Sequence, residues 1–294
     1  MEKAVKKIKI KRAQVIQQIV IRGIVLILSA LIIIPLWFIL TTSFSTEVAY
    51  LKYGVTFWPR TFSLAAYKKV FGSATFFPAM GNSVIISFGG SILSLIATAL
   101  MAYPLSKRFL PGRRIITFIT YISGIFNGGL IPTWLVLRML RLTDTLWALI
   151  LSLMMMPWLI IMLRNFFQNI PGDIEDAARI DGCSPFRLFV SIALPLSMPA
   201  LATVFLYYTV FKWNEWTYAI AFISDRSKWP LQVFLRDVLI QGSTGGDNGL
   251  DPGGVPSETY KMANVMLSMV PILLIYPFIH RFFVKGLTMG AVKG

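Results

Sequence analysis

The stretch that decides the fold is RNFFQNIPGDIEDAARIDGCSPFRLFVSIALPLSMPALATV, residues 164–204, which begins polar and ends as a long apolar run. The Pro171-Gly172 pair ends the preceding element, and Asp173 suits the N-cap of a short helix over Ile174–Asp181. A helix of two turns is not stable alone in water, so a neighbouring element or a partner must hold it. The pattern is typical of a docking element between two apolar spans, and not of an active site.

The same stretch predicts how the short helix ends and what it presents. Gly182 lies where a left-handed C-cap residue is needed. Ser184 then caps a second helix, with Pro185 at its first position, and this helix continues into the apolar run. Small side chains let a helix approach a partner closely, and charges fix its register. The short helix carries both kinds: Glu175, Asp176, Ala177, Ala178, Arg179 and Asp181.

The rest of the chain has the composition of a membrane protein. Of its 294 residues, 56% are hydrophobic and 14% are charged, and the mean hydropathy is +0.69. Soluble domains carry about 25% charged residues, and a spanning helix needs about 20 apolar residues. We therefore predict an all-α membrane protein with six transmembrane helices: Gly23–Phe44, a span within Val70–Ser106 that begins near Met80 after breaks at Gly72 and Pro78, Ile115–Leu137, Thr145–Leu163, Phe189–Phe211 with a continuation to Ile223, and Met262–Ile279.

The basic residues predict the orientation of these spans. With the N-terminus in the cytoplasm, 17 of the 28 Lys and Arg residues fall on the inner side, most densely in the loop SKRFLPGRR. Both termini of this multi-pass protein are then cytoplasmic, in the inner membrane of a bacterium. The net charge of +15 is explained by this bias, so it does not indicate nucleic-acid binding. Anionic membrane lipids are the expected partner of the basic N-terminal cluster.

This topology defines one domain and two notable loops. Residues 1–22 form a basic cytoplasmic N-terminus, and residues 23–294 form a single six-helix domain. The domain contains a cytoplasmic loop at 165–190 and an extracytoplasmic loop at 224–261. The second loop includes a Gly-rich run in which regular structure is not expected.

The residue types present limit the chemistry of the chain. A single cysteine, Cys183, and a single histidine, His280, exclude a disulfide or a Cys/His metal site within it. The sequence contains no G-x-x-x-x-G-K-[ST] phosphate loop, so ATP and Mg²⁺ must bind another chain if transport is ATP-driven. We expect no enzyme activity, no cofactor and no metal site in this chain.

Charges within a span are costly and suggest a functional site. Lys212 and Glu215 lie three residues apart, so they can share a face and pair. Neighbouring rings and an amide suit stacking and hydrogen bonding to sugars, although an interfacial aromatic belt explains the pattern equally well. The candidate substrate pathway is Lys212, Trp213, Asn214, Glu215 and Trp216.

The segment Glu175–Pro195 resembles the cytoplasmic E-A-A loop of permease subunits of bacterial ATP-binding-cassette importers. Glu175, Ala177, Ala178, Asp181, Gly182, Leu194 and Pro195 stand in the matching places, and Asp176 and Cys183 replace the usual alanines. The blocks NGGLIPTWLVLRMLRLTDTLWALIL, RNFFQNIP, WPLQVFLRDVL and RFFVKGLTMGAVKG look like the carbohydrate-uptake branch, that of the smaller maltose-type permease. The block Asn127–Pro132 is nearest to the polysaccharide and complex-oligosaccharide group, the lipoprotein-type and alginate-type permeases.

The resemblance implies a fold of the type I importer permease and a set of partners. These are a second homologous permease, an ATPase dimer, an extracytoplasmic solute-binding protein and a sugar substrate, with an oligosaccharide or polysaccharide expected. Residues 175–182 would form the coupling helix, in which Glu175 pairs with a basic residue of the ATPase. Two further contacts are implied by position: Gly286, Gly290 and Lys293 with the ATPase, and Gly242, Gly245, Gly246 and Gly249 with the binding protein. A merely disordered Gly-rich loop is the alternative for the second set.

Three other classes of protein compete with this interpretation. An ion-coupled secondary transporter needs ionisable residues at mid-membrane, and only Lys212 and Glu215 qualify. A membrane enzyme needs a convergent acid–base or metal constellation, which a lone His280 does not supply. A channel needs a selectivity filter, and no polar motif suited to one is evident.

Overall fold

The computed structural model describes residues 2–240 and 257–291. The described backbone is helical apart from turns and one isolated β bridge, so the predicted all-α fold is confirmed. The α-helices are α1 (Glu2–Ser43), α2 (Glu47–Tyr53), α3 (Ala65–Phe71), α4 (Phe76–Val84), α5 (Gly90–Ser106), α6 (Arg113–Ile125), α7 (Leu130–Met139), α8 (Leu146–Ser152), α9 (Pro157–Gln168), α10 (Gly172–Ile180), α11 (Pro185–Leu188), α12 (Leu194–Leu196), α13 (Met198–Asn214), α14 (Thr217–Phe222), α15 (Leu231–Ile240) and α16 (Glu258–Ala291). Two π-helical turns occur, Ile85–Gly89 and Phe189–Ala193, and one 3₁₀ turn, Arg226–Lys228. The chain divides into two compact units, with boundaries after residues 72, 248 and 267.

The first unit contains α1 to α3 and the start of α16. The basic residues 2–22 and the first predicted span form one continuous helix, which ends at Ser43. The loop after α2 folds back on the end of α1, where Trp37 Nε1 donates to the carbonyl of Phe57 at 2.8 Å. The carboxylate of Glu47 accepts from the backbone N–H groups of Glu258 and Thr259 at 3.3 and 3.2 Å. An acidic group at a helix N-terminus accepts hydrogen bonds from the free N–H groups and interacts favourably with the positive end of the helix dipole. Glu47 therefore stabilises the start of α16.

The second unit is built around α5, which packs against α9 and α13. Its core includes Leu159, Leu163, Val204 and Tyr208, each with no exposed surface. The Tyr208 hydroxyl lies 2.8 Å from the Thr98 hydroxyl and accepts from the backbone N–H of Met156 at 3.0 Å. Because Met156 precedes the first turn of α9, its N–H has no partner within that helix, and Tyr208 satisfies it.

The second predicted span begins earlier than expected. It runs without interruption from Phe76 to Ser106 over 31 residues, through α4, a π-helical turn and α5. The prediction that Pro78 breaks the helix was wrong, because Pro78 lies in the first turn of α4. Proline is tolerated there, since the N–H groups of a first turn have no helical acceptor.

Three predicted spans are not continuous helices. The third is α6 and α7, bent by 116°; the fourth is α8 and α9, bent by 54°; and the fifth is Pro185–Leu196 and α13, bent by 82°. The third bends where Asn127 Oδ1 accepts from the N–H of Gly129, whose φ is +84°. The fourth bends before Pro157, which has no N–H for a helical hydrogen bond. Span five also ends at Asn214, and α14 is a separate helix, so the predicted continuation to Ile223 was wrong.

The sixth predicted span lies inside α16, which begins at Glu258 and is longer than expected. Among the described residues, two helices are long and apolar enough to cross a membrane singly, Gln17–Ser43 and Phe76–Ser106. Five spans result if each bent pair counts as one. The sixth predicted span, within α16, is not among these five.

Candidate functional site

The loop at residues 165–190, the predicted coupling loop, forms the predicted short helix between two turns. Helix α10 covers Gly172–Ile180, so it starts earlier than predicted and Asp173 lies in its first turn. Asp173 is therefore not the N-cap, which is Pro171 and supplies no side-chain hydrogen bond. An acidic residue in the first turn still interacts favourably with the helix dipole.

The end of α10 matches the prediction. Gly182 has a φ of +78° and its N–H donates to the carbonyl of Arg179 at 3.0 Å, while Cys183 N–H donates to Ala178 at 2.9 Å. These two bonds form a Schellman motif, which requires a left-handed residue at the position of Gly182. Ser184 then caps α11 by accepting from Arg187 N–H at 3.3 Å, and Pro185 is its first residue, as predicted.

Glu175 has a partner within the chain. Its carboxylate is largely buried and pairs with the ammonium group of Lys107, which lies in the loop after α5. Lys107 Nζ also lies 4.4 Å from the centroid of the Tyr103 ring, in a cation–π contact. The resemblance implied a pair between Glu175 and the ATPase, which stays a prediction; within the chain the carboxylate pairs with Lys107. The pair fastens α10 to the end of the second span.

The opposite face of α10 is exposed. Ala177 and Ile180 lie on it, with Ile180 86% exposed, whereas Ala178 is half-buried against the chain itself. Asp176 and Arg179 form an exposed pair at 3.6 Å, and Arg179 also lies over the ring of Phe109. The outer face of α10 therefore presents one exposed apolar side chain together with a charged pair. Asp181 and Gly182 are exposed beside it.

The Lys212 region differs from the prediction. Lys212 is buried, but its Nζ donates to the backbone carbonyl of Ile150 at 3.1 Å rather than to Glu215. Glu215 Oε1 accepts from the N–H of Tyr218 at 2.9 Å and so caps α14. The predicted pair does not form, because α13 ends at Asn214 and turns Glu215 away from the helical register. Both side chains nevertheless line one narrow crevice, with Ile86, Leu149, Leu153 and Pro230.

The aromatic residues of this region are not equally accessible. Trp213 is 2% exposed and belongs to the interior, so it has no free face for stacking on a sugar. Trp216 is partly exposed, and the guanidinium of Arg236 lies 3.9 Å from its ring centroid. Asn214 is exposed and its amide donates to the carbonyl of Val210 at 2.8 Å. Asn214 and Trp216 are therefore the accessible members of the predicted set.

Two further predicted contacts concern the ends of the described chain. Gly286 and Gly290 lie within α16. Lys293 and the glycines Gly242, Gly245, Gly246 and Gly249 lie outside the described residues. Their predicted roles stay predictions.

The chain matches a protein-family model over residues 12–289, nearly its whole length. That model describes the inner membrane component of binding-protein-dependent transport systems. The chain belongs to this family. The permease is therefore a multi-pass membrane transport protein, as predicted, and its family is one of transport components and not of enzymes.

Two relatives and one solved structure extend the match. The permease is 42% identical to the protein LplC of Bacillus subtilis over 90% of each chain. It is 40% identical to the polygalacturonan/rhamnogalacturonan transport system permease protein YtcP of the same organism, over 93% of this chain and 97% of that one. It is also similar to a chain of a bacterial importer of the acidic polysaccharide alginate, with 29% identity, a TM-score of 0.85 and coverage of 92% and 98%. The resemblance to importer permeases of the polysaccharide group is thereby confirmed.

Sequence reasoning missed several residues that hold α10 and the loop before α15 in place. Lys107 and Tyr103 hold Glu175, and Asp144 holds the loop before α15, where its Oδ1 accepts from the N–H groups of Ser224 and Asp225. These partners lie 68 or more residues apart, so no local pattern signals them. Asp144 has a φ of +59°, which Asp tolerates better than most residues.

Proposed function

We propose that this chain is one of two homologous permease subunits of an ATP-binding-cassette importer for oligosaccharides or polysaccharides. Its membership of the binding-protein-dependent family supports a solute-binding protein as one partner. Its similarity to a polygalacturonan/rhamnogalacturonan permease and to a chain of an alginate importer supports a sugar substrate. Each permease supplies half of the pathway, and both termini of this one lie in the cytoplasm.

The proposed mechanism rests on the way α10 is attached to the rest of the chain. The helix is fastened on one side by the Glu175–Lys107 pair and continues through the Gly182 turn into α11, where Leu188 is 1% exposed. Its other side offers Ile180 and ordered charges to a partner. A push on α10 is therefore transmitted to α5 through Lys107 and to α13 through the α11 segment. The partner is a separate ATPase dimer that binds ATP and Mg²⁺.

The remaining predicted contacts complete this proposal. The tail with Gly286, Gly290 and Lys293 touches the ATPase, and the Gly-rich loop with Gly242, Gly245, Gly246 and Gly249 touches the binding protein. The exposed residues Asn214 and Trp216 contact the sugar, and Lys212 and Glu215 line a narrow crevice. An ion-coupled secondary transporter, the alternative, would have to rely on Lys212 and Glu215, whose side chains bond to the Ile150 carbonyl and to the Tyr218 N–H.

The test uses the assembled transporter in proteoliposomes, with its second permease, ATPase and binding protein. Gly182→Pro and Glu175→Lys are expected to reduce both transport and substrate-stimulated ATPase activity, while the protein still inserts into the membrane. Normal coupling in both variants would overturn the docking role of α10. A panel of alginate, polygalacturonan and neutral malto-oligosaccharides, tested for binding to the solute-binding protein, identifies the sugar, and no binding to any glycan would overturn the substrate class.

A further inference from the structure

Two guanidinium groups converge at the end of α5 that is predicted to face the cytoplasm. Arg113 Nε and Arg164 Nε both donate to the carbonyl oxygen of Leu105, at 2.9 and 3.1 Å. The amide oxygen of Gln168, when oriented toward them, accepts from both side chains, and from Arg164 Nη2 at 3.0 Å. Free carbonyls at the end of a helix commonly bind basic side chains. These acceptors fix the two arginines side by side, but they carry no net charge.

The positive charge of this pair is not offset within the described part of the chain. Among the residues that the structure describes, no ion pair joins Arg113 or Arg164 to a carboxylate. Arg113 is instead repelled by Arg164 and by Arg108. Like charges held close together repel each other, and they repel more strongly where water is partly excluded. An anion that binds between them removes this repulsion.

A cavity lies beside the two guanidinium groups. Its volume is about 390 Å³, and it is lined by Arg113, Arg114, Thr117, Phe118, Tyr121 and Arg164. The hydroxyl oxygen of Thr117 is buried and has no hydrogen-bond partner among the described residues. A buried hydroxyl without a partner costs free energy, so an acceptor in this cavity would satisfy it. Charge, volume and an unsatisfied donor thus coincide at one place.

We infer that this cavity binds the phosphate group of an anionic phospholipid. Guanidinium forks suit the geometry of phosphate oxygens, and three arginines line the cavity. The source is a lipid, because the same turns of α6 expose Ile115, Phe118 and Ile119, at 66%, 64% and 59%. These side chains offer an apolar surface on which the acyl chains lie while the headgroup enters the cavity. The leaflet is the cytoplasmic one, where basic pockets between helices recognise anionic headgroups.

The bound lipid has a consequence for the proposed importer. Arg113 belongs to α6 and Arg164 to α9, and both are tied to the end of α5 through Leu105. A phosphate between them therefore bridges three helices near the coupling loop. This step rests on the proposed function, whereas lipid binding itself does not.

Native mass spectrometry of the purified full chain tests the assignment. Phosphatidylglycerol is titrated against wild type and against the double variant Arg113→Gln, Arg164→Gln, with phosphatidylcholine as the neutral lipid. The double variant is expected to bind phosphatidylglycerol at least about tenfold more weakly, because it loses charge-assisted hydrogen bonds. The matched control Arg138→Gln, Arg226→Gln removes two charges elsewhere and is expected to bind like wild type.

A further variant and a competition with inorganic phosphate complete the test of the lipid site. Thr117→Val keeps every charge and is expected to weaken phosphatidylglycerol binding about threefold, so it serves if the double variant does not fold. Equal binding by wild type and by these variants overturns the site. Displacement of the lipid by millimolar inorganic phosphate would show that the cavity binds free phosphate, and not the phosphate group of a lipid. The double variant could also keep its lipid binding but fail to co-purify with the ATPase. This result would show that the two arginines pair with a carboxylate of a partner protein, and it would overturn the proposal.

Discussion

Two ion pairs hold the two ends of the second unit, and they work in different ways. The Glu175–Lys107 pair is largely buried, with side chains 10% and 11% exposed. The Asp144–Lys228 pair, at the end predicted to be extracytoplasmic, is 42% and 40% exposed. In the first, each charge depends on its partner, because few other groups solvate it. In the second, both side chains are exposed to solvent, and backbone N–H groups also donate to Asp144.

The difference shows where each region obtains its order. Asp144 accepts from the N–H groups of Ser224 and Asp225, each at 3.0 Å, so the loop before α15 is held mainly by backbone hydrogen bonds. Exposed ion pairs contribute little by themselves. The predicted coupling loop has no such set of side-chain-to-backbone ties to another element among the described residues. The buried pair and the ring contacts of Phe167 and Phe189 with Tyr103 link it to α5. We therefore expect charge changes to matter most at the coupling loop.

The largest effect is expected for Glu175→Gln. The substitution leaves the ammonium of Lys107 largely buried without a charged partner, which costs about 3 kcal/mol. We predict a clear loss of thermal stability in detergent and a loss of substrate-stimulated ATPase activity in the assembled transporter. Differential scanning fluorimetry and an ATPase assay measure the two effects.

The control for this prediction removes both charges together. In the double variant Lys107→Met, Glu175→Leu no charge is left unpaired, and the introduced thioether would still contact the Tyr103 ring. Its stability is expected to return close to that of wild type. If the double variant is as unstable as Glu175→Gln, the unpaired charge is not the cause.

The second effect separates backbone strain from coupling. Gly182 and Gly112 have φ values of +78° and +73°, and a Cβ at either position would meet no atom within 4 Å. Alanine at each site therefore costs about 1 kcal/mol through the left-handed backbone alone. We predict equal losses of stability for Gly182→Ala and Gly112→Ala. Reduced ATPase stimulation is expected only for Gly182→Ala, because only Gly182 ends α10, the proposed coupling helix. Equal ATPase defects would assign the effect to general destabilisation.

The contrast also shows what the sequence could predict. Local rules placed the Gly182 turn, the Ser184 cap and the apolar character of the spans, because each depends on residues close in the chain. They could not predict that Lys212 bonds to the Ile150 carbonyl and not to Glu215, since that depends on where α13 ends. Nor could they predict the bends in three spans, because an apolar window measures length and composition, whereas the bends arise at Gly129, at Pro157 and near Ser197.

The third prediction concerns the backbone ties of Asp144. Asn at this position keeps an oxygen acceptor and tolerates a φ of +59°, whereas Ala does neither. We expect Asp144→Ala to lower the hydrogen-exchange protection of the Ser224 and Asp225 amides by a factor of up to about ten. Asp144→Asn is expected to lower this protection by a smaller factor. Identical losses in both variants would show that the charge, and not the backbone acceptor, holds the loop.

The smallest effect is the response of this loop to pH. The N–H of Asp225, followed by Lys228, holds the pKa of Asp144 below its usual range, and the hydroxyl and N–H of Ser227 lower the pKa of Asp225. Both carboxylates raise the pKa of Lys228. A lowered carboxyl pKa gives stability that is complete above the unfolded value of about 3.9 and is lost as pH falls through the folded pKa.

A raised ammonium pKa gives stability that is complete below about 10.4 and is lost as pH rises through the folded pKa. Protection factors at Ser224 and Asp225, corrected for intrinsic exchange, should therefore stay constant between about pH 5 and pH 9.5 and fall only outside that window. In Asp144→Asn the fall at low pH should be smaller, because one of the two lowered carboxyl groups is absent. A change in protection near pH 7 would mean that a different titrating group controls the loop, and the contrast with the Glu175–Lys107 pair would then no longer be one of burial alone.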